Sequence, residues 1–231
     1  MRATLPGVLG LLYDIHGNLP ALEVVLREAE TEGVDRWLLG GDYGTPSPWP
    51  LETLGRLREL ENATWIRGNG ERWLREPPED RAEVMKIYEY FSRGIAEDEI
   101  EWLYRLPPQA ELDGVLYVHG SPVSDVESFA PERQDDEARL LGGVRDRTIV
   151  FGHSHQQFRR PGPEETELLN PGSVGMPLDG DRRAAWGVRT DDGEFVFRRT
   201  KYDVDRAAAA YRAMGGDFGE FAARRIERGS D

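Results

Sequence analysis

The stretch that decides the fold is Val8-Leu9-Gly10-Leu11-Leu12-Tyr13-Asp14-Ile15-His16-Gly17-Asn18. An apolar run stops abruptly in a polar loop, and Leu19, Leu22, Val25, Leu26 and Ala29 then recur at helical spacing until Gly33. This predicts a buried strand, a loop carrying a carboxylate and an imidazole, and an amphipathic helix. The unit then repeats. Trp37, Leu38 and Leu39 run into Gly40-Gly41-Asp42, a loop with Pro46, Pro48 and Pro50 follows, and Leu51, Leu54, Leu57 and Leu60 mark one face of a second helix. A third strand, Ala63 to Arg67, ends at Gly68-Asn69-Gly70-Glu71. Further along, Gly114 to Val118 delivers His119-Gly120-Ser121, and Thr148 to Phe151 delivers Gly152-His153-Ser154-His155. Strands alternating with helices give an α/β fold, and each of these strands ends in a short polar loop.

The rest of the chain fills in around that frame. A charged helical segment is expected over about 72–106, with Tyr88, Ile100, Trp102 and Leu103 among its apolar residues. Glu167 to Leu169 enters Asn170-Pro171-Gly172-Ser173, and Ala184 to Thr190 with Glu194 to Thr200 flank Asp191-Asp192-Gly193, a hairpin signal. A helical tail over about 203–229 is expected to pack back on the sheet. No linker or repeat divides residues 1–231, so one domain is the expectation for a chain of this length.

Composition narrows the function. The formal charge is −14 and the pI about 4.8, so no extensive surface is expected for nucleic acid or an anionic membrane. An anionic substrate would need locally supplied positive charge. With no cysteine there are no disulfides, thiolate nucleophiles or thiolate metal sites, which is compatible with a cytoplasmic protein. The start Arg2 to Leu12 is too short for a secretory signal, and no stretch has membrane-spanning length. The many arginines, among them Arg133, Arg145, Arg147, Arg159 and Arg160, read as a solvated charged face.

In open α/β sheets ligands collect beyond the carboxyl ends of the strands, and those ends here carry Asp14, His16, Asp42, Asn69, His119, His153 and His155. All four histidines of the chain belong to this set. Taken singly, Asp-x-His, Gly-Asp and Gly-Asn are ordinary loop and turn pairs, and His119 an ordinary hydrogen-bonded histidine. Taken together, imidazoles joined by carboxylates are what a pair of borderline divalent cations requires.

The ordered set Asp14-Ile-His16, Gly41-Asp42, Gly68-Asn69, His119 and Gly152-His153-Ser-His155 resembles the calcineurin-like metallophosphoesterases. Asp14-Ile-His-Gly-Asn18 and Asn170-Pro-Gly-Ser-Val-Gly175 are similar to the small bacterial and archaeal phosphodiesterase branch, and the resemblance covers roughly Val8 to Thr200. It implies a four-layer α-β-β-α sandwich of two mixed sheets. It also implies two divalent metal ions per chain, manganese first, with iron, nickel, zinc and cobalt as alternatives. One would be held by Asp14, His16 and His155, the other by Asn69, His119 and His153, with Asp42 bridging, and Asp42 and Asn69 counted as catalytic. The implied reaction is hydrolysis of a small phosphate ester, most specifically a diester, by a metal-bridging hydroxide.

Asn18, Glu71 and Ser173 are candidates for touching phosphate or for bracing the ligands from behind. Two positions depart from the family pattern. Tyr13 stands where a small residue commonly precedes the first Asp, and Gly70 stands where many members have a histidine that assists the leaving group. Gly70 could serve a positive φ in its turn. Its lack of an imidazole favours diesters or activated esters over unactivated monoesters, since general-acid help would be missing. The alternatives are a phosphomonoesterase, acting on phosphoproteins or nucleotides with Glu71 or a metal-bound water as proton source, and a non-catalytic interaction scaffold such as a retromer subunit on the same fold. Oligomeric state is not legible in the sequence.

Overall fold

The computed structural model describes residues 7–78, 86, 88, 92 and 94–231. Strand β1 (Val8–Leu12) leads into helix α1 (Leu19–Thr31), then β2 (Val34–Leu39), α2 (Pro50–Arg58), β3 (Ala63–Trp65) and the short α3 (Asn69–Trp73). Helix α4 (Glu97–Tyr104) precedes β4 (Gln109–Leu112), β5 (Val115–Val118), a 3₁₀ turn (Glu137–Leu141) and β6 (Thr148–Val150). The chain continues through β7 (Gln157–Pro161), β8 (Glu167–Pro171), β9 (Ala184–Arg189) and β10 (Phe195–Thr200), and finishes with α5 (Val204–Ala213) and α6 (Gly216–Arg228). The helical segment expected over 72–106 is seen at its ends as α3 and α4, and most of 79–93 lies outside the described residues.

Two five-stranded mixed sheets form, in the orders β10-β9-β1-β2-β3 and β4-β5-β6-β8-β7. In each, three neighbouring parallel strands are flanked by antiparallel pairing, β9 and β10 on one side of the first sheet, β4 and β7 at the two edges of the second. The pleat explains how they stack. Leu9, Leu11 and Tyr13 point one way, to meet Val115, Tyr117, Val150 and Leu169 of the second sheet. Leu12 points the other way, under Leu22, Val25 and Leu26 of α1 and Leu54 and Leu57 of α2. On the far side of the second sheet, Leu116, Val118, Ile149 and Leu168 are covered by Phe129 and by Leu140 and Leu141 of the 3₁₀ turn. The layers are thus helix, sheet, sheet and a thin cover of 3₁₀ turn and loop.

Local chemistry sets the boundaries. Asn18 caps α1 by accepting a bond from the Ala21 amide at 3.2 Å, and Pro20 sits in the first turn, where a missing N–H costs nothing. Leu51 does not share the buried face of α2 as its spacing suggested. It is 48% exposed, because a three-residue step drifts off the stripe that Thr53, Leu54 and Leu57 bury.

Tyr13 is seated between the sheets rather than in the cleft, its hydroxyl donating to the Val150 carbonyl at 3.2 Å. Gly40 and Gly152 make the room, since a Cβ on either would stand 2.1 or 2.5 Å from the Tyr13 side chain. The tail forms helices as expected, but packs differently. α5 and α6 bury Val204, Ala207, Ala208, Tyr211, Ala222 and Ile226 against each other and Met176, so they close over the loop after β8 rather than over a sheet.

Candidate metal centre

Backbone hydrogen bonds continue past the ends of β1 and β2 and fix the loops that follow. The amides of Asp14 and His16 donate to the carbonyls of Gly41 and Asp42 at 3.2 and 2.9 Å, and Gly152 donates to His119 at 2.7 Å. Within these loops Asp14, His16, Asp42, His153 and His155 all adopt positive φ, between 46° and 64°. L-residues seldom do so, and such strain gathers where side chains are aimed for function. Gly41 has φ of 94°, and a Cβ there would come within 2.6 Å of the Gly68 amide nitrogen and 2.8 Å of His119 Nδ1. Close approach of the second and third loops therefore requires glycine.

The strain brings the seven sequence-predicted ligands to one cleft. The four imidazoles fall into two pairs: His16 and His155 with ring centroids 4.8 Å apart, His119 and His153 at 5.4 Å. Asp14 Oδ1 lies 3.4 Å from His155 Nε2 and 3.9 Å from both His16 Nε2 and His119 Nε2. Asp42 stands between the pairs, Oδ2 at 3.8 Å from His16 Nε2 and Oδ1 at 3.6 Å from His119 Nε2. Asp14, His16 and His155 form one compact donor group, and Asp14, Asp42 and His119 another. Asn69 turns the end of its side-chain amide to within 3.1 Å of His119 Nε2.

The donors fit cations. His119 Nδ1 bonds the Gly40 carbonyl at 2.8 Å and His155 Nδ1 the Met176 carbonyl at 2.7 Å. Each ring therefore carries its proton on the outside and turns a bare Nε2 inward. The Nε2 atoms of His16 and His155 are only 3.0 Å apart. Asp14 Oδ1 is buried with no hydrogen-bond partner, although Oδ2 accepts from the His153 amide at 2.9 Å. The inward end of the Asn69 amide has His119 Nε2, the Asp125 carbonyl and His153 Nδ1 within 2.9–3.2 Å. A buried cluster of lone pairs facing one another is costly unless a proton or a metal ion sits among them.

Protonation follows the same geometry. Burial lowers His16 to about 3 and His153 to about 4. His119 and His155 are raised: burial opposes their charge, but Asp42 and Asp14 beside the first, and Asp14 beside the second, outweigh it. Burial pushes Asp42 up to about 7, against the pull of His119 and with the charges of Glu71 and Asp14 adding to it. Asp14 is held below the usual carboxylate range, because His155, His119 and His16 overcome its burial.

A family model described as the calcineurin-like phosphoesterase superfamily domain matches residues 8–193. The chain belongs to the calcineurin-like phosphoesterase superfamily. It is 26% identical over 225 residues to an uncharacterised protein of Methanocaldococcus jannaschii, covering 87% of this chain and 90% of that one. In fold it is similar to a metallophosphoesterase of Sphaerobacter thermophilus, with TM-score 0.79, 23% identity and coverage of 96% and 99% of the two chains. A Pyrococcus horikoshii protein gives TM-score 0.82 at 18% identity, covering 98% of this chain and all of the other.

The remaining candidates of this phosphoesterase domain sort by what they touch. Glu71 accepts from the amides of Asp42, Tyr43 and Gly68, each at 2.9 Å, and so ties the second and third loops together. Asn18 donates to the Gly175 carbonyl at 2.8 Å, and Ser173 donates to the Asp14 carbonyl at 2.6 Å. Both are fully buried and hold loops rather than facing the cleft. Arg133 and Arg160 pair with Glu137, Arg145 with Glu164, Arg147 with Glu111 and Arg159 with Glu167. Arg160 is 13% exposed and bonds the Ala130 carbonyl, so it is a structural tie and not part of a solvated face.

Gly70 has no positive φ, contrary to expectation; it lies in the first turn of α3, where space is what matters. A Cβ there would stand 2.9 Å from Asp42 Oδ1 and 3.4 Å from the hydroxyl of buried Tyr88. Sequence reading missed Tyr211, whose hydroxyl donates to the His16 carbonyl at 2.6 Å and anchors the tail to the site. Its signal was the apolar face of Val204, Ala207, Ala208 and Tyr211, which told of packing and not of the partner.

Proposed function

We propose that the chain is a metal-dependent phosphodiesterase acting on small phosphate esters. Asp14, His16 and His155 would hold one divalent cation and Asn69, His119 and His153 a second, with Asp42 as the ligand common to both. Manganese is the first ion to test. The observation that carries this reading is the buried cluster of acceptors at the cleft: Asp14 Oδ1 without a hydrogen-bond partner, and the Nε2 atoms of His16 and His155 turned on each other at 3.0 Å. Two divalent cations, when bound, supply the positive charge that draws phosphate into an acidic protein and the Lewis acidity that readies a water for in-line attack.

The chain's own residues do the rest. Asp42 turns one oxygen to each imidazole pair, as a shared ligand must. The outer carbonyls of Gly40 and Met176 hold His119 and His155 in the tautomer that ligates. Hydrolysis forms one bond from phosphorus to the water oxygen and breaks one to the leaving oxygen, which must then gain a proton. The four imidazoles are turned to the cluster, and Glu71, one of the two proton sources a monoesterase could use, is occupied by three backbone amides, which leaves a metal-bound water as the other. Diesters and activated esters, whose leaving groups need no proton, are therefore favoured over unactivated monoesters. Retention of every ligand argues against an interaction scaffold. Among the described residues no helix is long and apolar enough to cross a membrane; we propose a cytoplasmic setting.

The test is hydrolysis of bis-p-nitrophenyl phosphate and of an unactivated monoester, glycerol 2-phosphate, by the purified protein with Mn, Ni, Zn, Co and Mg. The expected result is a higher kcat/KM for the diester, lost on chelation and restored by metal. Turnover indifferent to chelation, or a preference for the monoester, overturns the reading.

A further inference from the structure

A cleft of about 440 Å³ opens beside the candidate metal centre, with His119, Arg67, Arg72, Gln109, Ser121 and Asp125 in its wall. It is joined to the ligands directly: His119 belongs to both, and the Asp125 carbonyl is 3.2 Å from the Asn69 amide. Its charges do not cancel. Arg72 spends Nε and Nη2 on the two Asp125 oxygens at 2.6 and 2.7 Å, a bidentate and neutral pair. Arg67 has no carboxylate within 4 Å among the described residues. Its Nη1 donates to the Tyr104 carbonyl at 2.6 Å, and its guanidinium lies 5.1 Å from the Tyr104 ring centroid. That stack fixes the plane of the guanidinium, and a single bond leaves most of its donors unused.

The setting makes this unusual. In a chain of net charge −14 most described arginines are matched by a carboxylate. Among the described residues Arg182, Arg206 and Arg228 also lack a close one, yet Arg182 and Arg206 line clefts shared with Asp181, Asp203 and Asp205, and with Glu23 and Asp203, and Arg228 is exposed at the end of α6, away from the candidate metal centre. Among the described residues, the cleft at His119 carries the one excess positive charge next to the place where phosphate would bind.

We propose that this cleft is a second-anion subsite, in which Arg67 receives a second phosphate of a diester whose scissile phosphate lies at the metal centre. The inference rests on the phosphodiesterase reading and names its substrate class: diesters in which a group of about nucleoside size separates two phosphates. The volume falls in the range of small-ligand sites. Arg67 is a specificity-determining residue here, since it acts on a part of the substrate that does not react.

The experiment compares the p-nitrophenyl ester of thymidine 5′-phosphate with and without a 3′-phosphate, in the manganese-loaded protein and in Arg67→Gln and Arg67→Lys. The wild type should favour the 3′-phosphorylated ester about 10-fold or more in kcat/KM, mainly through KM, the scale of one charge-assisted hydrogen bond. Arg67→Gln should erase that preference while leaving the plain ester within about 2-fold, and Arg67→Lys should keep part of it. A purely structural role of Arg67, through its bond to Tyr104, would lower both esters alike and overturn the inference. So would a wild type that hydrolyses the plain ester with no preference, which leaves the phosphodiesterase reading standing. Failure to hydrolyse either ester with any metal overturns both.

Discussion

Glu71→Gln isolates what holds the ligand loops in place. The carboxylate is 2% exposed and accepts three amide bonds at 2.9 Å, Oε2 from Asp42 and Gly68, Oε1 from Tyr43. Glutamine keeps one oxygen. In its best orientation it retains the bonds to Asp42 and Gly68, now to a neutral acceptor, and turns an NH₂ toward the Tyr43 amide, donor against donor. Losing one charge-assisted bond costs about 1.5–3 kcal/mol, and weakening two others adds about 1 kcal/mol. Removing a negative charge near Asp42 returns part of this, so the net loss is about 3 kcal/mol. For a chain of this size that lowers Tm by roughly 6–12 °C. Metal affinity should fall about 10-fold or more, because Asp42 and Asn69 lose their brace. The assays are thermal unfolding without metal and titration with manganese. A variant with unchanged Tm and metal affinity but reduced kcat would refute this account and make Glu71 a proton donor.

Asp42→Asn should bind metal poorly and lose at least about 100-fold in diesterase activity, since one carboxylate serves both imidazole pairs; near wild-type turnover at saturating metal would deny it the shared role. Gly70→His should lower monoesterase and diesterase activity together with metal occupancy, because a Cβ 2.9 Å from Asp42 Oδ1 must displace that ligand; full occupancy with a raised monoester-to-diester ratio would contradict this. Protons compete with metal for the same atoms. With Asp42 near 7 and His119 and His155 raised, the metal-free site holds protons at neutral pH that must leave on binding. Metal affinity should therefore rise with pH through 7, by about one decade per pH unit for each proton released. Calorimetry in buffers of different ionisation heat counts those protons, and identical heats would rule the release out.

Six of the seven ligands were legible because they follow parallel strands whose buried apolar ends mark where they stop, Leu12 before Asp14, Leu39 before Asp42, Val118 before His119 and Val150 before His153, whereas Asn69 follows the half-buried β3. The strands that escaped reading are the edges of the second sheet. β4 is Gln109-Ala-Glu-Leu112 and β7 is Gln157-Phe-Arg-Arg-Pro161, both largely polar, because an edge strand buries little and is kept from pairing further by charge and proline. The roles of Glu71, Asn18 and Ser173 depend on which amide or carbonyl each meets across the fold, and a sequence separation of 159 between Ser173 and Asp14 leaves no trace in local spacing. Gly70 looked like a turn glycine and proved to be a glycine of close approach, a distinction that only the position of Asp42 supplies.

The central claim is that Asp14, His16 and His155 hold one cation, Asn69, His119 and His153 another, and Asp42 both. Anomalous scattering from crystals of the manganese-loaded protein tests it most directly. The account predicts two manganese peaks per chain, one against each imidazole pair, with Asp42 touching both. A single peak, or peaks away from these side chains in a protein that hydrolyses diesters at full rate, would contradict it.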